Sequence, residues 1–535
     1  MLNRAHSTAR IAPGIAALAA ITLLIGGAFA GLLLEGARDW AGAAAAFDGY
    51  MLRVARFTLL QAVLSTLFAV TPAILVARAL SRHPSFPGRG LILKLFAVPL
   101  ALPAIVAAMG VLALLGRAGY LAPVFSAATG STWPGIYGLS GILVAHVFFN
   151  LPLATRLLVE ALDTVPADQW RLASQLGMDA RASFRLIEWP VLRAALPGVA
   201  GLVFMLCITS FTIVLTLGGG PAASTLEVAI YQALRFDFDP ARAVTLTLAQ
   251  IAMTLAVVAV LMRLGANVTG DANLAVARRS FVTVKTPERV FNTVAILLAL
   301  VFVAGPMAAI VASGLEADLG RLLAEPAFHR AALTSVVLAL LSASLAASMA
   351  WALAASRRAA AGGRLPLLER LFDTGASFVL VVPPIVIGAG WFILIRHVAD
   401  VFAIAPVMVV AVNAVMAMPF ALRAVRPAHD AAAGRHERLC ASLGISGWNR
   451  LRLIDWPVLR RPLATALAFA MALSLGDLGV IALFGSDAVK TLPYLLFERM
   501  GSYRTADAAG LALLLGALCL ALILAADWLG RREER

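Results

Sequence analysis

Arg171–Arg193 reads RLASQLGMDARASFRLIEWPVLR, and Arg438–Arg460 reads RLCASLGISGWNRLRLIDWPVLR. Gly177 pairs with Gly444 and Trp189-Pro190 with Trp456-Pro457, at a constant offset of 267 (444 − 177 and 457 − 190). Roughly half of the aligned positions are identical, which marks an internal repeat. Both copies are polar and arginine-rich, yet each lies between long apolar runs. A chain that places the same polar helical segment between membrane helices twice presents two matched handles to something outside the bilayer.

Working outward, the composition fixes the setting. The 535 residues are 61% hydrophobic and only 13% charged, with a mean hydropathy of +0.90. Runs of about 20 apolar residues recur, which is the signature of membrane-spanning helices. Backbone groups in lipid must be satisfied internally, so the expected fold is all-α. Spans are expected near 11–34, 54–79, 91–115, 136–161, 194–217 and 243–265, then 290–313, 332–356, 373–396, 404–424, 461–485 and 506–529. That is about twelve helices as two parallel six-helix repeats, with halves 1–265 and 290–535 joined by a polar connector, 266–289. The first span is expected to remain uncleaved, although Ala28-Phe29-Ala30 resembles a signal-peptidase site.

The net charge of +14 reads as positive-inside loops rather than a nucleic-acid surface. Arg78, Arg82 and Arg89, both repeats, Arg278, Arg279 and Lys285, Arg357, Arg358 and Arg364, and Arg531, Arg532 and Arg535 fall on alternate loops. This bias puts both termini and both repeats in the cytoplasm, and an even helix number per half makes the halves parallel. Cys207, Cys440 and Cys519 are scattered in or near apolar runs, and the seven histidines lack ligand spacing, so neither a disulfide framework nor a metal site is expected. No G-x-x-x-x-G-K-[ST] loop occurs, so ATP hydrolysis is not expected of this chain.

Each repeat reads as a short amphipathic helix that stops at glycine, followed by a second helical piece re-entering the bilayer at Trp-Pro. Thr164 is a candidate cap with Pro166 in the first turn; Leu172 and Leu176 share a face, with Trp170 and Ala173 beside them, and Gly177 suits a left-handed stop. In the second copy Asp430 is the cap candidate, with Leu439 and Leu443 at the matching positions and Gly444 as the stop. The alternative is an interfacial helix resting on lipid with Trp189 and Trp456 as belt residues, but lipid does not require the same sequence at the same place in both halves.

This arrangement resembles the cytoplasmic EAA loop of binding-protein-dependent ABC importer permeases, in which E-A-A, three residues, a Gly and then I-x-L-P end thirteen residues after that Gly. Here Ile187 and Pro190 follow Gly177, and Ile454 and Pro457 follow Gly444. Arg171 and Arg438 stand where the family usually has Glu, and Trp189 and Trp456 replace the Leu before Pro. The resemblance implies a type I importer permease, with coupling loops 164–190 and 430–457 and coupling helices 164–177 and 430–444. The residues it assigns to ATPase coupling are Trp170, Arg171, Leu172, Ala173, Leu176, Gly177 and Pro190, and Arg438, Leu439, Cys440, Leu443, Gly444 and Pro457. It implies two copies of a cytoplasmic ABC ATPase carrying ATP and magnesium, a periplasmic binding protein and an inner-membrane location. No cofactor on this chain, no nucleic acid and no catalytic residue are expected.

LTLGGGP (Leu215–Pro221) and TLEVAIYQALRFDFDPARA (Thr225–Ala243) look like the fused permeases of iron(III) and thiamine importers. SLGDLGVIALFG (Ser474–Gly485) and TLPYLLFERMGSYRTADAAGLALLL (Thr491–Leu515) are closer to the thiamine/thiamine-pyrophosphate permeases. The resemblance therefore implies thiamine or its pyrophosphate as cargo, with iron(III) as the alternative. A secondary transporter of the major-facilitator type is the rival from another class, but Ser81–Gly90 lacks the Asp-Arg pair of its signature. Outer loops 218–242 and 485–505 are expected to help dock the binding protein.

Inside the bilayer, Asp477 is the ionisable residue that asks for a role, since such a group costs several kcal/mol there. Ser210 is its equivalent by the 267 offset. Thr209, Ser210, Phe211, Thr212, Ser474 and Asp477 form a candidate substrate route, in which a carboxylate and an aromatic would suit a cationic thiazolium and a stackable ring. The competing reading makes Asp477 a structural link between helices.

Overall fold

The computed structural model describes residues 2–83, 86, 88–263, 286–363, 365–445, 447–486 and 489–531. Among these, all regular structure is helical. Ten helices are long and apolar enough to cross a bilayer: Ile11–Arg38, Gly49–Arg82, Leu139–Asp163, Ala180–Ile208, Pro240–Arg263, Thr286–Glu316, Pro326–Gly362, Val401–Ala432, Gly447–Leu475 and Thr505–Ala525.

The expected third span of each half is not one long helix. In the first half it is the pair Arg89–Ala101 and Ala104–Leu115, bent by 110°. In the second half it is Pro366–Phe378 and the twelve-residue Pro384–Ile395. Proline explains both breaks. Leu102, before Pro103, is pushed to φ −81, ψ 138, and Pro383, before Pro384, sits at φ −59, ψ 143. The expected fifth spans are broken too: Trp189–Ile208 yields to Thr212–Leu217, and Trp456–Leu475 to Gly479–Phe484.

The chain forms two compact units that cross the sequence halves. One comprises residues 1–47, 229–248 and 318–535; the other comprises 48–228 and 249–317. In the first unit, Leu2–Arg38 packs on Pro326–Gly362 and Pro384–Ile395. Gly31 and Gly390 permit that closeness: a Cβ on Gly31 would overlap the Gly390 carbonyl, and one on Gly390 the Ala28 carbonyl. Trp391 seals the contact, its Nε1 donating to the Leu24 carbonyl at 2.7 Å.

In the second unit, Gly49–Arg82 packs on Leu139–Asp163 and Trp189–Ile208, while Thr286–Glu316 packs on Ala104–Leu115. There Gly110 meets Pro306, where a Cβ would lie 2.6 Å from the proline carbonyl. Phe96, Phe148, Leu158, Leu162, Leu192 and Ile208 are fully buried in its core. Each unit thus contains the leading helix of the other sequence half. Most of the expected connector 266–289 lies outside the described residues.

Candidate functional site

The two repeated loops share their endings but not their beginnings. In the first, Leu139–Asp163 stops at Thr164, whose hydroxyl donates back to the Ala161 carbonyl at 2.7 Å, so Thr164 closes one helix instead of opening the next. Pro166, at φ −59, ψ 140, occupies the flanking position before Ala167–Gln175. In the second copy there is no break: Val401–Ser442 runs through 42 residues. Asp430 is therefore mid-helix and not a cap, and its carboxylate accepts from Arg357 at 2.7 Å. Residues 430–444 are thus the end of a long helix rather than a helix of their own. At the break, Pro166 has Ala433 as its equivalent (433 − 166 = 267), so the second copy keeps the backbone N–H and the helix-favouring residue that the first copy lacks there.

The stops match. Gly177 has φ +61 and Gly444 φ +65. Met178 N–H donates to the Ala173 carbonyl at 3.0 Å, and Ile445 N–H to the Cys440 carbonyl at 2.9 Å, again 267 apart. Leu172 and Leu176 are 55% and 68% exposed, and Leu439 and Leu443 are 51% and 63% exposed. Trp170 and Ala173, expected beside the leucines, are instead buried, as is Cys440. Each loop therefore turns two leucines, four apart, away from its own unit. Arg171 is exposed with Asp168 at 3.2 Å; the Arg438 side chain lies outside the described residues.

Five-residue π-turns, Phe184–Glu188 and Leu451–Asp455, precede Trp189-Pro190 and Trp456-Pro457. A proline inside a continuous helix lacks an N–H and collides with the carbonyl four residues back, which a widened turn relieves. Glu188 is buried here and anchors the first loop: it takes Arg78 at 2.8 Å and also Arg82. Glu288 joins both arginines, at 3.0 and 3.3 Å. His83 beside this cluster has its pKa lowered by burial and by Arg289 and Arg82, against Glu288. At the matching place in the second loop, Arg450 lies 3.7 Å from Asp455.

The candidate route residues lie at the two fifth-helix breaks. In the unit containing 318–535, Asp477 Oδ1 accepts the Gly479 N–H at 3.1 Å, at the start of Gly479–Phe484. Its Oδ2 is buried without a partner. Ser474 accepts from Asn413 Nδ2 at 3.0 Å. In the unit containing 48–228, Thr209 commits its hydroxyl to the Met205 carbonyl at 2.8 Å, Phe211 is buried, and Ser210 and Thr212 are half-buried.

Sequence reasoning missed a buried polar seam on Gly49–Arg82. Thr58, Gln61 and Ser65 are all 0% exposed. Thr58 Oγ1 accepts the Leu226 N–H at 3.0 Å, Gln61 Nε2 donates to the Cys207 carbonyl at 2.8 Å, and Ser65 Oγ meets His146 Nδ1 at 2.9 Å. The seam thus ties one helix to the break of the fifth helix and to Leu139–Asp163. His146 and Cys207 are the equivalents of Asn413 and Ser474 (413 − 146 and 474 − 207 both give 267), so both units carry a polar contact at this place. The signal was available: three polar residues at i, i+3 and i+7 share one helical face.

The family of binding-protein-dependent transport system inner membrane components matches residues 69–269 and 359–535. The thiamine transport system permease protein ThiP of Brucella abortus (strain 2308) is 58% identical over 521 residues, 97% of this chain and 95% of its own length. That of Escherichia coli (strain K12) is 42% identical over 526 residues, 98% of this chain and 97% of its own. A putative ferric transport system permease protein of Haemophilus influenzae is 29% identical over 171 residues, 32% of this chain and 26% of its own.

Proposed function

The chain belongs to the family of binding-protein-dependent transport system inner membrane components, and from that premise we propose that it is the transmembrane permease of an ABC importer for thiamine or thiamine pyrophosphate. The observation that carries the cargo assignment is the near end-to-end likeness to thiamine permeases, whereas the ferric likeness is confined to one stretch.

Two copies of a cytoplasmic ABC ATPase, holding ATP and magnesium, supply the work, and a periplasmic binding protein supplies the cargo. The paired leucines of each loop are the contact the ATPase would use: apolar, exposed, four residues apart and present in both halves. Motion delivered there passes into Trp189–Ile208 through the π-turn anchored by Glu188, and into Val401–Ser442 directly along its own axis. The transmembrane helices then alternate between outward- and inward-facing states. Both termini lie in the cytoplasm by the arginine bias of the loops, and outer loops 218–242 and 485–505 receive the binding protein.

The test is ATP hydrolysis by a reconstituted complex of this chain, its ATPase and its binding protein, titrated with thiamine, thiamine pyrophosphate and ferric iron. Stimulation by the thiamine compounds alone is the expected result. Stimulation by iron would retain the permease and discard the cargo.

A further inference from the structure

Among the described residues, four glutamates and aspartates are buried: Glu35, Glu188, Glu227 and Asp507. Three of them hold cations. Glu35 takes Arg396 at 2.6 Å, Glu188 takes Arg78 at 2.8 Å, and Asp507 takes Arg504 at 2.7 Å. Glu227 is 1% exposed and has neither an ion pair nor a side-chain hydrogen bond among the described residues; its Oε1 is buried and unpartnered. Thr225, two residues earlier and equally buried, leaves its Oγ1 unpartnered as well. Between them, the Leu226 N–H is held by Thr58, which sets this pair at the end of the polar seam of Gly49–Arg82.

The helix start does not explain the acid. The other half builds the same joint: Leu492 N–H is held by Ser335 at 2.7 Å, as Leu226 is held by Thr58. On that correspondence (492 − 226 = 266) the equivalent of Glu227 is Pro493. A helix that begins equally well with proline has no need of a carboxylate in its first turn. The halves also differ in the opposite sense, since Asp477 has Ser210 as its equivalent. Among the described residues, Glu227 and Asp477 thus lie at non-equivalent positions, each with a carboxylate oxygen that is buried and without a hydrogen-bond partner.

We propose that Glu227 is a cation-recognising carboxylate of the substrate route, with Thr225 as its hydrogen-bonding neighbour, and that it takes the positively charged ring of a thiazolium-type substrate. A buried, unpaired acid in a membrane protein is held at a cost that a passing cation relieves. Paired acids such as Glu188 cannot serve, because arginine already occupies them. This inference rests on the thiamine reading, and it adds a specific contact that sequence comparison does not assign.

The experiment uses the reconstituted complex of the full chain with thiamine-loaded binding protein. The cargo is compared with a neutral analogue in which an uncharged thiophene replaces the thiazolium. Glu227→Gln is expected to reduce the preference for the cationic cargo by about tenfold, the scale of one charge-assisted contact, while Glu227→Asp keeps it. On the unmutated complex, a hydrophobic carbodiimide is expected to label Glu227, with thiamine protecting it and the neutral analogue not. This second arm decides the matter if Glu227→Gln does not fold. Unchanged preference in a folded Glu227→Gln complex, or labelling indifferent to thiamine, overturns the role of Glu227 and leaves the importer reading standing. If the unmutated complex ignores thiamine compounds altogether, the importer reading of the cargo fails and this inference fails with it.

Discussion

Single residues decide how each loop ends and what each break holds. Gly177 and Gly444 are left-handed with open space around them, so a side chain there meets backbone strain and nothing else. Gly177→Val and Gly444→Val should each cost about 1–2 kcal/mol, read as a lower unfolding temperature in detergent. Asp477 has a structural contact, to the Gly479 N–H, and a proposed place on the substrate route, which two substitutions separate. Asp477→Ala should lose about 1 kcal/mol as the Gly479 N–H loses its acceptor. Asp477→Asn keeps an acceptor and should restore stability, yet thiamine uptake should remain depressed; normal uptake with Asn would leave Asp477 a structural residue only. His83 contributes through its neutral form. Its folded pKa lies below the ordinary 6.5, so the unfolded chain binds the proton more readily, and stability that is full above that pH is lost as the pH falls below it. His83→Gln should flatten that acid-side loss in unfolding measurements between pH 7 and 5.

At the scale of elements, the proposed coupling role falls to two unlike constructions. The first loop has a discrete helix, Ala167–Gln175, separated by Pro166 from the span above it. The second presents its leucines on the last turns of a 42-residue helix. A discrete helix transmits force through its packing, here the buried Trp170 and Ala173, whereas a continuous helix transmits it as a lever. Replacing Leu172 and Leu176 together with aspartate should abolish substrate-stimulated ATP hydrolysis while the chain still inserts and elutes as a folded protein. The pair Leu439 and Leu443 should behave alike. Retained stimulation in either double variant would show that the leucine face is not where the ATPase binds.

The whole molecule is organised by an exchange of leading helices. Residues 1–47 belong to the compact unit built largely from 318–535, and Thr286–Glu316 belongs to the unit built from 48–228. The glycine contacts between Leu2–Arg38 and Pro384–Ile395 bring the two backbones together. Removing residues 2–38 should therefore destabilise the C-terminal part of the chain more than residues 48–228. Limited proteolysis in detergent micelles checks this: new cleavage should fall within 318–535, and cleavage confined to 48–228 would contradict it.

Much of this was legible without coordinates, for a physical reason. Hydropathy over some 20 residues reports transfer into lipid, which depends on composition alone, so all twelve apolar stretches could be read from the sequence. The duplicated loop and its glycine stops were likewise local, because a left-handed turn is a property of one residue and its neighbours. The breaks at Pro103 and Pro383 carried a local signal too, one that the hydropathy of the surrounding residues concealed. What needed the tertiary structure was everything set by partners distant in the chain. Thr164 and Asp430 looked alike as caps, and only the path of the helix showed that one closes a helix and the other grips Arg357. Nothing in the sequence marks Glu227; burial without a cation, a fact about the surrounding helices, is what singles it out. The exchange of leading helices is likewise invisible to periodicity, because one apolar face in lipid reads the same whichever helix it packs against.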